Sequence, residues 1–231
     1  MLWRMLSRAF HRAAPPAPAV PLDPARPNVL SVGAGSEVIR LPRHYAAWNA
    51  LRLDVDPELR PDVLLDAREL TRLPAGLFDA VYCSPNLEHY HAHEVAVVLA
   101  WFAHVTRAQG FVEVRVPDLA AVARHMVAQD ADIEDRLYDA PAGPITLRDV
   151  IYGYGRAIAE SGNDFYAHKT GFTRRALAAA LQRAGFAHVF MVEPLGVYEL
   201  RALGLRTPPD AAQRALLQLP EREEARTPGP A

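Results

Sequence analysis

Three stretches of the chain place ligand-binding groups directly after short apolar runs. In the first, residues 29–32 lead into Gly33-Ala34-Gly35, a glycine turn in which no Cβ keeps a ligand from the backbone. The third glycine of a dinucleotide fingerprint is missing, because Ser36, Glu37 and Val38 stand there, which favours a nucleoside over a pyrophosphate. In the second, residues 51–53 end in Asp54, whose carboxylate can accept both hydroxyls of a ribose. Asp56 competes for that role, but Pro57 beside it marks a turn. In the third, residues 62–65 end in Asp66-Ala67, a carboxylate and a backbone N–H able to meet the edge of an adenine. An acid in that place equally serves as a helix cap.

Histidines form a second group. His89, His91 and His93 in LEHYHAHE approach the run with which metallo-hydrolases hold zinc. The aspartate that should follow the second histidine is absent, and a helix starting near His93 would splay the three side chains. No metal site is expected from them. His89 is instead a candidate base or substrate contact, with a capping or hydrogen-bonded structural role as the alternative. Farther on, Tyr138 to Lys169 holds Tyr152, Gly153, Tyr154, Gly155, Asn163 and His168. Aromatics among glycines in so long a connection suggest a lid or substrate platform, the alternative being a packing insertion with buried tyrosines. Tyr152 and His168 are its candidates for contact with a substrate.

The elements that must position these groups alternate in period. Residues 29–32, 51–53, 62–65 and 78–83 read as short buried strands. Val95, Val98, Leu99 and Phe102 follow helical spacing, and Gly110 is placed to close that helix. Residues 111–116 make a fifth strand stopped by Pro117. A long helix is expected from Thr173 to Gly185, then strands near 187–192 and 197–203 around Glu193-Pro194-Leu195-Gly196. Such alternation implies an α/β fold with a mostly parallel sheet covered on both faces.

Composition narrows the classes. The 231 residues are 50% hydrophobic and 23% charged, with a net charge of −2. That balance is ordinary for a globular protein and supplies no basic excess for nucleic acid. The lone Cys83 allows no internal disulfide, and no apolar run approaches the roughly 20 residues that span a bilayer, so a cytoplasmic home is expected. Residues 1–27 form a basic leader running into a Pro/Ala-rich linker. Arg4, Arg8 and Arg12 alternate with apolar residues, so the leader reads either as disordered or loosely helical chain, or as a helix docking on a membrane surface or partner. The body is expected over 28–205. Residues 206–231 read as a Pro/Glu/Arg-rich, largely disordered tail with one short helix around 211–219.

Taken in order, VLSVGAG, LDVDP, LLDARELTRLPAGLFDAVYCS, NLEHYHAHE and GFVEVRVPDL resemble the class I S-adenosylmethionine-dependent methyltransferases. The nearest likeness is to a bacterial branch with Leu-Glu-His after the fourth strand and Val-Pro-Asp-Leu after the fifth. The stretch YDAPAGPITLRDVIYGYGRAIAE and then HKTGFT are similar to that branch as well. The resemblance implies a Rossmann-like, mostly parallel seven-stranded sheet with helices on both faces and an antiparallel last strand. It implies S-adenosylmethionine as cofactor, with Gly33 and Gly35 on its methionine side, Asp54 on the ribose, Asp66 and Ala67 on the adenine, and Ser84 beside the sulfonium. The chain departs from the family at Ser31, where an acid is usual, and at Ala108-Gln109-Gly110, where Pro-Gly-Gly is usual. The expected function is methyl transfer to a small-molecule or glycan-type acceptor. The rivals are a degenerate fold that binds a partner, and a nicotinamide-dependent oxidoreductase, which should continue into a sixth parallel strand.

Overall fold

The computed structural model describes residues 17–33, 41–140 and 143–221. Gly35 and most of the leader lie outside the described residues. One sheet of seven strands organises the rest. It is built from β1 (Asn28–Val32), β2 (Asn49–Asp54), β3 (Val63–Leu64), β4 (Phe78–Cys83), β5 (Thr106–Pro117), β8 (His188–Val192) and β9 (Glu199–Leu205). Their order is β3-β2-β1-β4-β5-β9-β8. The first five are parallel, whereas β9 runs antiparallel to both β5 and β8. The sheet is therefore the Rossmann-like one expected, with its single reversed strand: β8 runs in the direction of the first five, and β9 is inserted antiparallel between it and β5.

Both faces of the sheet are apolar, as parallel strands buried on two sides require. Leu30, Val32, Leu53, Val81, Cys83 and Val114 face α1 (Ala92–Val105) and α5 (Arg174–Arg183). The alternate positions Val29, Ala80, Tyr82 and Phe111 face Tyr45 and Leu217, the latter on α6 (Ala211–Leu217), the short helix expected there. Val20 and Leu22, N-terminal to β1, pack against the first of these cores. Among the described residues no helix is long and apolar enough to cross a membrane.

Two local expectations need correction. Gly110 does not end the helix, since α1 stops at Val105 and β5 begins at Thr106. The glycine is needed inside the strand, because a Cβ there would lie 2.6 Å from the Asp79 carbonyl oxygen and 2.6 Å from Thr106 Cγ2, where the β4–β5 register shifts. The helix after Pro117 was not anticipated. It is α2 (Leu119–Gln129), capped by Asp118, whose carboxylate accepts from the N–H groups of Ala120 and Ala121. After it come a hairpin of β6 (Arg136–Ala140) and β7 (Gly143–Thr146), then α3 (Leu147–Tyr152) and α4 (Gly155–Ser161). Val122, Leu147 and Val150 give this region a small core of its own.

A buried charge cluster ties the reversed strand into the sheet. Glu113 on β5 is fully buried and accepts from Arg201 Nε on β9 at 2.7 Å and from the Tyr45 hydroxyl at 3.1 Å. His44 Nε2 lies 2.9 Å from the same carboxylate. Burial alone would raise the Glu113 carboxyl, but the bond from His44 and the Arg201 charge hold it below the ordinary value of 4.5. Its contribution to stability is therefore complete above about pH 4.5 and is lost as the pH falls through the lower folded value. Glu113→Gln leaves Arg201 buried without a counter-charge and should destabilise the fold by about 3–5 kcal/mol at pH 7. Urea unfolding as a function of pH checks this. The difference between parent and variant should narrow in acid, and a difference that did not narrow would show that the carboxylate charge is not what stabilises.

Candidate active site

At the carboxyl ends of β1, β2 and β4 the chain opens into a cleft of about 360 Å³. The parallel register sets Val32 opposite both Leu53 and Cys83, so the residues that follow these three strands emerge side by side. The Gly33 N–H donates to the Leu53 carbonyl at 3.0 Å, fixing the glycine turn against β2. Gly33 has φ +62°, and a Cβ there would stand 2.1 Å from Asn86 Nδ2. Only glycine fits both the backbone and the neighbour.

Asp54 and Asp56 both line the cleft. Asp54 accepts the Asp56 N–H at 3.1 Å, while Asp56 caps the short 3-10 helix Pro57–Leu59, as its neighbouring proline suggested. Asp66 also reaches the cleft, but its carboxylate caps the 3-10 helix Ala67–Arg72 and is gripped by the Arg68 guanidinium at 2.7 Å. Arg68 in turn reaches Glu94 at 2.6 Å and lies 5.9 Å from the centre of the Tyr90 ring. Ala67 is buried in the same wall.

Three expected residues do not line the cleft: Ser84, Tyr152 and His168, which lies behind His89. Ser84 is buried and does not line the cleft; its hydroxyl faces Tyr82, because residues two apart project to the same side of a strand. Pro85 and Asn86 form the wall in its place, and Asn86 Oδ1 is a buried acceptor without a hydrogen-bond partner among the described residues. Tyr152 is exposed at the end of α3 and stays out of the cleft. The aromatic side chains that the 138–170 segment brings there are Phe165 and Tyr166, together with Asn163 and Lys169. Sequence reasoning missed Phe165 and Tyr166 in favour of Tyr152, because only the bridge between Gly153 and Ala167 reveals which side of the segment turns inward. That bridge demands Gly153, with φ +96° and the Tyr166 carbonyl 2.0 Å from where a Cβ would lie.

The histidines divide. The helix begins at Ala92, and the His91 and His93 rings stack 5.7 Å apart instead of splaying. His89 and His91 both line the cleft, but only His89 meets His168, with ring centres 5.0 Å apart. His89 Nδ1 lies 3.1 Å from the Ala167 carbonyl, and His168 Nδ1 lies 3.0 Å from the Val150 carbonyl. Burial lowers both imidazoles from their ordinary range, His168 to about 4, so both rings are neutral near pH 7. Beneath them Glu88 is 1% exposed, 3.9 Å from His168 Nε2, with its carboxyl pushed up to about 8 by burial.

The Leu-Glu-His and Val-Pro-Asp-Leu motifs act as clamps. The Glu88 carbonyl accepts from the N–H groups of Lys169 and Thr170, and the Leu119 N–H donates to the Phe172 carbonyl. Leu119 Cδ1 stands 2.1 Å from the place of a Cβ on Gly171. Both motifs thus hold the chain between Ala167 and Phe172 along the edge of the cleft.

No protein-family model matches the chain, and no curated protein matches it. Solved structures do. A protein from Pyrococcus horikoshii OT3 is similar with a TM-score of 0.50 and 13% identity, over 79% of this chain and 82% of that one. A SAM-dependent methyltransferase from Archaeoglobus fulgidus gives 0.48 and 13%, over 78% and 86%. The 1,6-didemethyltoxoflavin-N1-methyltransferase of Burkholderia thailandensis, solved with 1,6-didemethyltoxoflavin and S-adenosylhomocysteine, gives 0.44 and 20%, over 80% and 73%. The likeness is one of fold. Strand order, the reversed β9 and helices on the sheet are those of the Rossmann-like class I methyltransferase fold.

Gly33→Ala tests the tightest contact of the cleft. The left-handed backbone and the displaced Asn86 should together cost about 1–3 kcal/mol. Thermal unfolding should show a lowered Tm, and an unchanged Tm would mean that the turn relaxes freely.

Proposed function

We propose that the chain transfers a methyl group from S-adenosylmethionine to a small-molecule or glycan-type acceptor. The observation that carries this reading is the convergence of Gly33, Asp54 and Ala67, from three consecutive strand ends, on one cleft. Open α/β sheets bind nucleotides at such strand ends. The lining is also acidic, with Asp54, Asp56, Asp66 and Glu94 against Arg68 and Lys169, which suits a ligand bearing a sulfonium and an ammonium. The ordered resemblance to the Leu-Glu-His and Val-Pro-Asp-Leu branch supports the same reading.

In this reading Asp54 accepts the ribose hydroxyls, and the backbone at Gly33 borders the methionine portion. Gly35 lies outside the described residues. Ala67 and the lone pairs of Asp66 not engaged by Arg68 meet the adenine, since a carboxylate has about four acceptor sites. The orphaned Asn86 Oδ1 accepts from the ammonium, replacing the acid missing at Ser31. The cofactor supplies an electrophilic methyl group on sulfur. What the protein contributes is chiefly in-line positioning and exclusion of water. Phe165 and Tyr166 cover the acceptor side, and His89 presents it with a neutral imidazole. The net charge of −2 speaks against a nucleic-acid acceptor.

Isothermal titration with S-adenosylmethionine, and with NADH in parallel, tests the reading. S-adenosylmethionine should bind and NADH should not. Asp54→Ala should weaken binding by about 1.5–3 kcal/mol, roughly 10- to 150-fold. Unaltered affinity in that variant would remove Asp54 from the ribose. Binding of NADH alone would replace the methyltransferase reading with an oxidoreductase.

A further inference from the structure

We propose that Glu88, His89 and His168 form a binding site for one divalent transition-metal ion at the inner edge of the cleft. One donor atom from each of the three side chains lies within 4.8 Å of the others. Both oxygens of the Glu88 carboxylate are buried, and although the backbone N–H groups of Asn86 and Glu88 face them, no well-formed hydrogen bond reaches either oxygen among the described residues. A buried carboxyl group is ordinarily hydrogen-bonded, paired or bound to a metal. Among the described residues no arginine or lysine forms an ion pair with it; two imidazoles face it, with the buried Cys83 thiol also near.

The imidazoles are arranged as ligands. A carbonyl can only accept, so the bonds to Ala167 and Val150 put the proton of each ring on Nδ1. Each Nε2 therefore carries a free lone pair. Histidine ligands commonly donate their other ring N–H to a backbone carbonyl in this way, which fixes the tautomer and the ring orientation. The backbone bonds from Lys169 and Thr170 to the Glu88 carbonyl hold the two ligand-bearing segments together before any ion arrives. Metal–ligand bonds of about 2.0–2.2 Å place neighbouring donors about 3–3.5 Å apart, so binding draws the three together by about 1 Å.

Two imidazoles and one carboxylate select zinc, iron, manganese or cobalt over magnesium and calcium, which prefer oxygen. Three protein ligands also leave coordination positions open. His89 lines the cleft, so an open position is accessible from that side. If the methyl-transfer reading also holds, the acceptor presents an oxygen to the ion, and His89 addresses it through the metal.

The full chain, stripped with a chelator and dialysed, should bind one equivalent of zinc or cobalt by metal analysis and calorimetry without any S-adenosylmethionine. Bound cobalt should show the visible absorption of a low-symmetry site, and zinc should raise Tm in a concentration-dependent manner. Glu88→Gln keeps the side chain's shape and His168→Ala removes one ligand; each should weaken binding at least 10-fold while retaining a cooperative unfolding transition. The double variant His91→Ala/His93→Ala should bind as the parent does. Absence of stoichiometric binding overturns the site, as does loss of binding in the His91/His93 variant alone. Because cofactor binding is measured separately, failure of the metal site leaves the methyl-transfer reading standing, and the converse holds.

Discussion

Everything at the cleft depends on the parallel register of β1 with β2 and β4. With Val32 level with Leu53 and Cys83, the three strands end in one plane. Gly33, Asp54 and Pro85-Asn86 can then line a single space. A one-residue slip would turn the buried side chains of either strand toward the opposite face, so the two apolar cores enforce the register that the cleft needs. The bond from the Gly33 N–H to the Leu53 carbonyl extends this order one residue beyond the strand, into the turn itself.

The second determinant is how the long connection after β5 returns to the sheet. Its first half forms α2, the β6–β7 hairpin and α3 around their own small core, away from the cleft. Its second half is held at two points, by the Glu88 carbonyl and by Leu119. Both holding points belong to motifs directly following β4 and β5, so the strands that define the cleft also define what closes its side. The three-residue turn Leu87–His89 thereby does two things at once. Its backbone clamps the returning chain, and its Glu88 and His89 side chains meet His168 from that same chain.

The reversed strand β9 lies between β5 and the edge strand β8. Its place beside β5 brings Arg201 to Glu113, and Arg115 to Glu199, so two ion pairs join strands that run in opposite directions. The Glu113 pair is fully enclosed, with Tyr45 and His44 meeting the remaining acceptor sites. A buried charge of this kind survives because its bonds are complete. It also links the covering segment around Tyr45 to the two strands beneath.

Much of this was legible in the sequence. Short apolar runs, glycine turns and acids at strand ends follow from local chemistry, and they yielded the alternating fold, β4 from Phe78 to Cys83, the helix between Thr173 and Gly185, and the strand ends carrying Gly33, Asp54 and Asp66. These features depend only on neighbouring residues, since period, caps and breakers are encoded within a few positions. Which side chains face the cleft was settled by long-range contacts. Ser84 turned to Tyr82 by strand parity, Asp66 was largely taken by Arg68, and Tyr152 stayed outside while Phe165 and Tyr166 came in. The meeting of Glu88 with His168 was likewise invisible, because nearly eighty residues separate them and only the clamped return of the chain brings them within 3.9 Å. Sequence periodicity reports the face a residue takes on its own element, whereas pairing between elements is a property of how the whole chain closes.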